Sequence, residues 1–439
     1  MASSGRSRWW ATSETSERYK TSVGKGVGDA KGVRMTSGRS NPVWVAVLAS
    51  LIACGGPEQP GEEPSGSRVV LDPDAVIGEI DDGEAYNFGD VRSIAVDDEG
   101  RVYVGDRIGA TVRVYSAQGE FISEIAREGE GPREVQGWPA DLTFGPSGEL
   151  YVRDAVRVTV FGPSGSQGIA DSLTNEWRVR GYGNLTYSRS RVGSDGTYYY
   201  PSGVYRPDEP TRFYYETYRD GQLTGDTLDV PQYEGMEAQR TAFYRTGPSG
   251  GRMVDGLNHV PFATVPSWDV THRGTLFSTD GLGADVLESN LGGDTVRVMR
   301  LAESRPLQIP AAERSDSLRA LEARIDSLPV RLEDVVNLGK NVAERQLPEF
   351  LPNAVSLRIA TGGLIWVERW PEEGSGDSRF YDAYDSTGKR RASVQLRSPL
   401  LSEPAPFFGR GAIIGVTRDE DTGVHRVVRF SLEGVVGEP

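Results

Sequence analysis

The chain has 439 residues, with 48 Lys and Arg against 63 Asp and Glu and a formal charge of −15. That balance counts against nucleic acid and anionic lipid surfaces as partners, because both are bound through basic patches. One cysteine excludes an intramolecular disulfide, so the core must hold by burial alone, and 54 Gly with 26 Pro point to a turn-rich β architecture.

Residues 1–34 show no apolar periodicity and read either as a disordered extension or as sequence upstream of a start at Met35. Residues 35–53 read as a lipoprotein signal peptide. The apolar run from Val43 to Ala53 is well short of the roughly 20 residues a membrane-crossing helix needs, yet it has the length of a signal h-region and follows the positive charge of Arg39. Leu51-Ile52-Ala53-Cys54 resembles a bacterial lipobox, which implies lipid attachment at Cys54; the alternative is a lone cysteine in a buried apolar segment.

Residues 54–67, rich in Gly, Pro, Ser and Glu, cannot bury enough apolar surface to offset ordering and read as a flexible linker. A domain tethered this way is expected to face water while staying at the membrane, outside the cytoplasm. Gly55 in place of an Asp after the cysteine favours the outer-membrane or periplasmic side. Without residues 1–53 the chain keeps 40 basic residues (48 less 8) and 60 acidic ones (63 less 3), and only Lys340 and Lys389 of the basic set are lysines. That skew is read as the codon bias of a G+C-rich genome.

Strand signals begin at 93–125, where Ser93–Val96, Arg101–Val104, Thr111–Tyr115 and Glu120–Ile125 are short, rich in Val, Ile, Tyr and Phe, and separated by turn residues. Residues 141–165 repeat the order and the turn chemistry. Aligning the glycine that opens the second strand gives Gly100, Gly148, Gly196, Gly274, Gly363 and Gly411, at intervals of 48, 48, 78, 89 and 48. The two long intervals hold insertions: a Gly-rich, irregular stretch at 232–263 and a helical insert at about 311–347, with Leu318, Leu321, Ile325 and Leu328 on one helical face.

Four strands per unit of 40 to 50 residues predict an all-β, six-bladed β-propeller of four-stranded antiparallel blades over 68–437, with seven blades as the rival count. The segment 68–80 is expected to add an outer strand to the last blade, beside 424–434, and so to close the ring. The helical insert between blades four and five is expected to pack across a rim, or to offer a partner-binding helix.

"GRVYVGD" with "VRVYSAQGEFISEI", then "GEGP", then "GELYVRD" with "VTVFGPSG", resemble NHL-type repeats and the six-bladed propeller lipoproteins of bacterial envelopes. The likeness spans 68–437 and weakens in the third and fourth blades, where Ser202 stands at the position held by Asp106 and Asp154. The resemblance implies a fold class with many functions, and little about activity.

Asp106, Asp154 and Asp280 each fall six residues after their repeat glycine, which places them on one rim. A ring of carboxylates suits a divalent cation such as calcium; the same residues equally suit capping of their own loops, since Asp at a strand end commonly bonds nearby backbone N–H groups. Arg107, Arg153 and Arg369 complete a mixed-charge rim that fits a polar or anionic ligand. His259, His272 and His425 lack zinc-ligand spacing, and no G-x-S-x-G motif is present. Nine of the eighteen tyrosines lie between Tyr182 and Tyr218, either filling gaps between blades or stacking on sugars or a partner.

The expectation is thus a lipid-anchored, monomeric binding module for an envelope protein, peptide or glycan, without a cofactor. The alternative is a calcium-dependent hydrolase or lyase with its site at the channel mouth.

Overall fold

The computed structural model describes residues 68–78, 83–164, 168–179, 189–206, 209–231, 233, 240–246, 252–259, 261–262, 266–283, 285–301, 307–326, 347–372 and 374–436. Cys54, its signal and its linker lie outside them.

The repeat units fold into six four-stranded sheets. Blade one is Val91–Val96, Val102–Asp106, Thr111–Tyr115 and Phe121–Glu128; blade two is Asp141–Phe144, Leu150–Arg153, Arg157–Ser164 and Ile169–Arg178. Blade three is Arg191–Val192, Tyr198–Arg206, Glu209–Arg219 and Gln222–Asp229, and blade four is Ser267–Val270, Leu276–Thr279, Asp285–Ser289 and Thr295–Arg300. Blade five is Ser356–Ile359, Ile365–Arg369, Arg379–Tyr384 and Arg390–Leu396. Blade six takes three strands from the C-terminus, Phe407–Phe408, Ala412–Arg418 and His425–Ser431, and its fourth, Ala75–Ile77, from the start of the domain. First strands of neighbouring blades pack on one another, so the first strand of each blade is the innermost.

The aligned glycines have a shared physical reason. Five of them, from Gly100 to Gly363, sit at φ between 75 and 85°, where only glycine is unstrained. Each donates its N–H to the carbonyl three residues earlier, as in Gly100 to Asp97 and Gly274 to Thr271. The result is a tight hairpin between first and second strands, in the form of a turn followed by a left-handed residue. Gly411 differs: blade six turns one step earlier, through Gly409 N–H to Ala412 O at 2.9 Å.

Because side chains on a strand alternate faces, each sheet has two apolar faces, and the ring buries both. Six apolar layers result, one between each pair of neighbouring blades. Tyr103 and Val114 meet Leu142 and Leu150; Val158 and Val160 meet Tyr198 and Tyr218; Phe213 and Leu228 meet Trp268 and Leu276. Val286 and Met299 meet Leu357 and Val367, and Trp366 and Val394 meet Ile413 and Phe430. The sixth layer, with Ile77, Val416 and Val427 against Val91, Ile94 and Val104, joins the last blade to the first and completes the circle.

The N-terminal segment does more than expected. Ala75–Ile77 pairs antiparallel with blade six in the register Val76↔Val428, as the sequence suggested. Three residues earlier, Val69–Leu71 adds a parallel fifth strand to blade five, with Val69 opposite Val394. One short segment therefore clasps two blades.

The 232–263 insertion, expected to be irregular, contains an antiparallel hairpin, Arg240–Thr246 with Arg252–His259; the turn-forming run Gly-Pro-Ser-Gly-Gly between them separates two stretches of strand-forming residues. The second insertion forms the helix Ala311–Asp326, largely exposed, with Leu318 packed against the cluster of Phe262, Ile309, Leu347 and Leu351. The side chains of Leu321, Ile325 and Leu328 lie outside the described residues.

Candidate functional site at the propeller axis

Asp106 ends the second strand of blade one, is 2% exposed, and accepts N–H groups from Gly89 (3.0 Å), Asp90 (2.8 Å) and Ile108 (3.1 Å). Asp154 occupies the same place in blade two and accepts from Gln136 (2.9 Å), Val156 (2.8 Å), Arg157 N–H (2.8 Å) and Arg157 Nε (3.0 Å). Asp280 accepts from Leu282 (2.9 Å) and Gly283 (3.2 Å). All three cap their own loops, and the first two also tie the incoming link from the preceding blade. A calcium ion would have to displace these donors. Among the described residues, no group of three or more His, Cys, Asp or Glu is placed to hold a metal ion.

The arginines of the expected rim take separate routes. Arg107 Nε donates to Asp90 at 2.5 Å, and Arg369 bonds Asp382 at 2.9 Å and the Asn353 carbonyl at 2.6 Å. Arg153 turns inward, 4.0 Å from Asp141 and with its guanidinium 5.6 Å from the Tyr200 ring.

That inward turn leads to a cluster the rim positions do not mark. Residues seven and five before the repeat glycine lie on the innermost strands, two apart and so on the same side. In blades two to five these positions hold Asp141 and Thr143, Arg189 and Arg191, Ser267 and Asp269, and Ser356 and Arg358. The glycine alignment marks this register as well as the position six residues after each glycine.

Ser356 bonds Glu368 of its own blade, whereas Asp141, Arg189, Arg191, Ser267, Asp269 and Arg358 reach beyond theirs. Asp141 accepts the Ser190 N–H at 2.6 Å, joining blades two and three. Arg191 forms a two-pronged pair with Asp269 of blade four, Nε to Oδ1 at 2.8 Å, and Asp269 accepts the Ile359 N–H of blade five at 2.9 Å. Ser267 Oγ accepts the Leu357 N–H at 2.9 Å. Arg189 reaches the Ala405 carbonyl beside blade six.

Among the described residues, four guanidinium groups, Arg153, Arg189, Arg191 and Arg358, thus lie near two carboxylates, Asp141 and Asp269. Burial works against the charge on Arg153 and Arg191, but Asp141 for the first and Asp269 for the second outweigh it and hold both above the usual arginine value. Asp269 lies below the usual carboxylate value: burial would raise it, and Arg191 more than reverses this. Arg189 is the exception. Burial, with Arg191 and Arg358 nearby, pushes it down to about 10. Among the described residues it has no carboxylate within ion-pair distance, only the neutral carbonyl.

Tyr198 Oη interacts with Ser190, whereas Tyr215 Oη is buried without a hydrogen-bond partner among the described residues. Burial raises both tyrosines, which keeps them neutral donors at physiological pH. The groups assembled here are fixed positive charges and donors, a chemistry suited to holding an anion or a polar ligand.

The tyrosine-rich stretch serves packing where it is described. Tyr198, Tyr199, Tyr200, Tyr215 and Tyr218 are buried between blades, and Tyr198 stacks on Tyr151 at 5.5 Å and 11°. Tyr214 is partly exposed, with Arg212 lying 5.6 Å over its ring. His425 has a structural place: its Nδ1 accepts the Val91 N–H at 2.9 Å across the seam between blades six and one.

No family model matches the chain, and no curated protein sequence matches it. Solved structures do. Virginiamycin B lyase from Staphylococcus aureus is 12% identical at a TM-score of 0.33, covering 80% of this chain and 96% of the lyase. Regucalcin from Agrobacterium tumefaciens, a calcium-binding protein, is 12% identical at a TM-score of 0.37, over 84% of this chain and 98% of its own. A DUF4221-family member from Bacteroides vulgatus is 10% identical at a TM-score of 0.39, over 82% and 97%. At these values the likeness says nothing about activity.

Proposed function

We propose that this propeller is a lipid-anchored, extracytoplasmic binding module for an envelope protein, peptide or glycan. The NHL-type repeats and the lipobox-like Leu51-Ile52-Ala53-Cys54 support the setting. The observation that carries the binding role is the axial cluster, where charged donors occupy positions that ring closure alone would fill with small or apolar side chains. Rim carboxylates already bonded to backbone N–H groups give the calcium-dependent hydrolase or lyase no comparable support.

Three experiments test the reading. Cys54→Ser should leave an uncleaved precursor without acyl label; unchanged mobility and labelling would remove the anchor. Mass spectrometry of what co-elutes with the chain from native membranes should find a specific envelope component, and recovery of the chain alone would count against a binding role. A large fall in melting temperature on chelation, restored by Ca²⁺, would move support to the metal-dependent alternative.

A further inference from the structure

We propose that the outer half of blade three carries a carbohydrate site, in which Tyr214 is the platform for one neutral sugar ring and Arg212, Glu216 and Asp226 meet its hydroxyl groups. The inference rests on the glycan reading of the binding role proposed above and places that ligand away from the axis.

The site is built by strand alternation and a bulge. Arg212, Tyr214 and Glu216 alternate along the third strand with Phe213 and Tyr215, which pack against blade four, so the first three share the opposite face. Opposite them on the fourth strand, Asp229 pairs with Tyr214 and Thr227 with Glu216. The register then shifts. Tyr218 pairs with Leu223, which leaves Thr224, Gly225 and Asp226 opposite Thr217 alone. Thr217 Oγ1 donates to the Asp226 carbonyl at 3.0 Å and fixes the bulge, and Gly225 sits at φ 90°, where only glycine is unstrained. Between these residues lies a cavity of about 260 Å³, with Leu223 as an apolar wall.

The groups are set before a ligand arrives, which lowers the cost of binding. The Arg212 guanidinium lies 5.6 Å from the centre of the half-buried Tyr214 ring and is itself held by Asp229. Glu216 is oriented by the Tyr218 hydroxyl, which donates to it at 2.9 Å. A sugar hydroxyl both donates and accepts, so it can meet carboxylates and a guanidinium side by side. An anion would face Glu216, Asp226 and Asp229 against the single guanidinium among the described lining residues, and a cation would find Asp229 already taken by Arg212. The volume falls just below the roughly 300–1,000 Å³ of pockets for drug-sized ligands, which suits one sugar ring.

The test titrates the full chain with glucose, galactose, mannose and N-acetylglucosamine, and with arginine amide as a cationic probe, by saturation-transfer NMR and calorimetry. It is repeated for Tyr214→Ala, for Thr227→Trp, which fills the cavity from an exposed position, and for the control Arg297→Ala on blade four. We expect saturable binding of at least one sugar, weakened about tenfold or more in Tyr214→Ala, the loss of one aromatic contact. Binding should be lost in Thr227→Trp and unchanged in Arg297→Ala.

If no sugar binds the wild-type chain, if arginine amide binds in place of the sugars, or if either site variant binds as the wild type does, the inference fails. The wild-type arm decides even if a variant does not fold. No sugar bound, with a specific partner still co-eluting from membranes, would refute the sugar site alone; sugar binding without such a partner would refute the envelope-binding role alone.

Discussion

Asp269 is expected to be the most costly polar residue of the axis to remove. Its side chain is 3% exposed against 18% for Arg191, and it serves Arg191, the Ile359 N–H and the Val270 N–H, the last at 2.9 Å. Asp269→Ala leaves Arg191 buried without its counter-charge, beside Arg189 and Arg358. Removing one member of a buried pair costs about 3–5 kcal/mol. With an unfolding entropy of about 2.1 cal/mol/K per residue over roughly 370 residues, that corresponds to a fall of about 4–6 °C in melting temperature. Arg191→Ala alone should also destabilise, and the double variant should lose less than the sum, because the stranded charge is gone. Asp269 titrates below its usual value in the fold, so its contribution is complete above about pH 4 and is lost as pH falls through the folded-state value. Asp269→Ala should therefore flatten the acid limb of the stability curve. Denaturant melts of the four proteins from pH 3 to 7 measure both effects. Additive single effects below about 0.5 kcal/mol would show that this pair does not hold blades three, four and five together.

Ile77 is 4% exposed in the layer between the last and first blades, so Ile77→Ala should cost about 2–5 kcal/mol in urea melts, whereas the exposed neighbour Val76→Ala should cost little. His425 accepts the Val91 N–H through Nδ1, and burial lowers its pKa; its contribution is complete above about pH 6.5 and is lost below it as the ring protonates. His425→Asn, which keeps an acceptor that does not titrate, should remove the stability slope just below about pH 6.5, and an unchanged slope would place its origin elsewhere. In Gly105→Ala the new Cβ would lie 2.2 Å from Ser93 Oγ and 3.0 Å from Pro139 Cγ, crowding the Ser93 hydrogen bond to Pro139 O. A loss of about 1–3 kcal/mol is expected, and a melt identical to wild type would mean the two first blades are less closely packed at the axis.

The blade count was legible because it depends on local chemistry, and the closing strand at 75–77 because the last blade has only three strands of its own. A hairpin needing a left-handed residue selects glycine wherever it recurs, so Gly100 to Gly363 mark their blades whatever surrounds them. Alternation within each strand then requires two covered faces, and equal pitch requires a ring. The Asp106 and Asp154 caps are local as well, since each binds N–H groups of its own loop. The parallel strand Val69–Leu71 was not legible, because nothing in three residues specifies which of two neighbouring blades will take them.

The sequence by itself determined the repeat, its turns and the alternating faces, all of which are set by interactions between residues close along the chain. Only the tertiary structure decided that Arg153 leaves the rim for the interior and that Arg189, Arg191, Asp269 and Arg358 converge. Their partners lie 78 residues away for Arg191 and Asp269, and 216 for Arg189 and Ala405. Coulombic attraction between such residues acts through space, and it acts only after the ring has closed and water has been removed from between them.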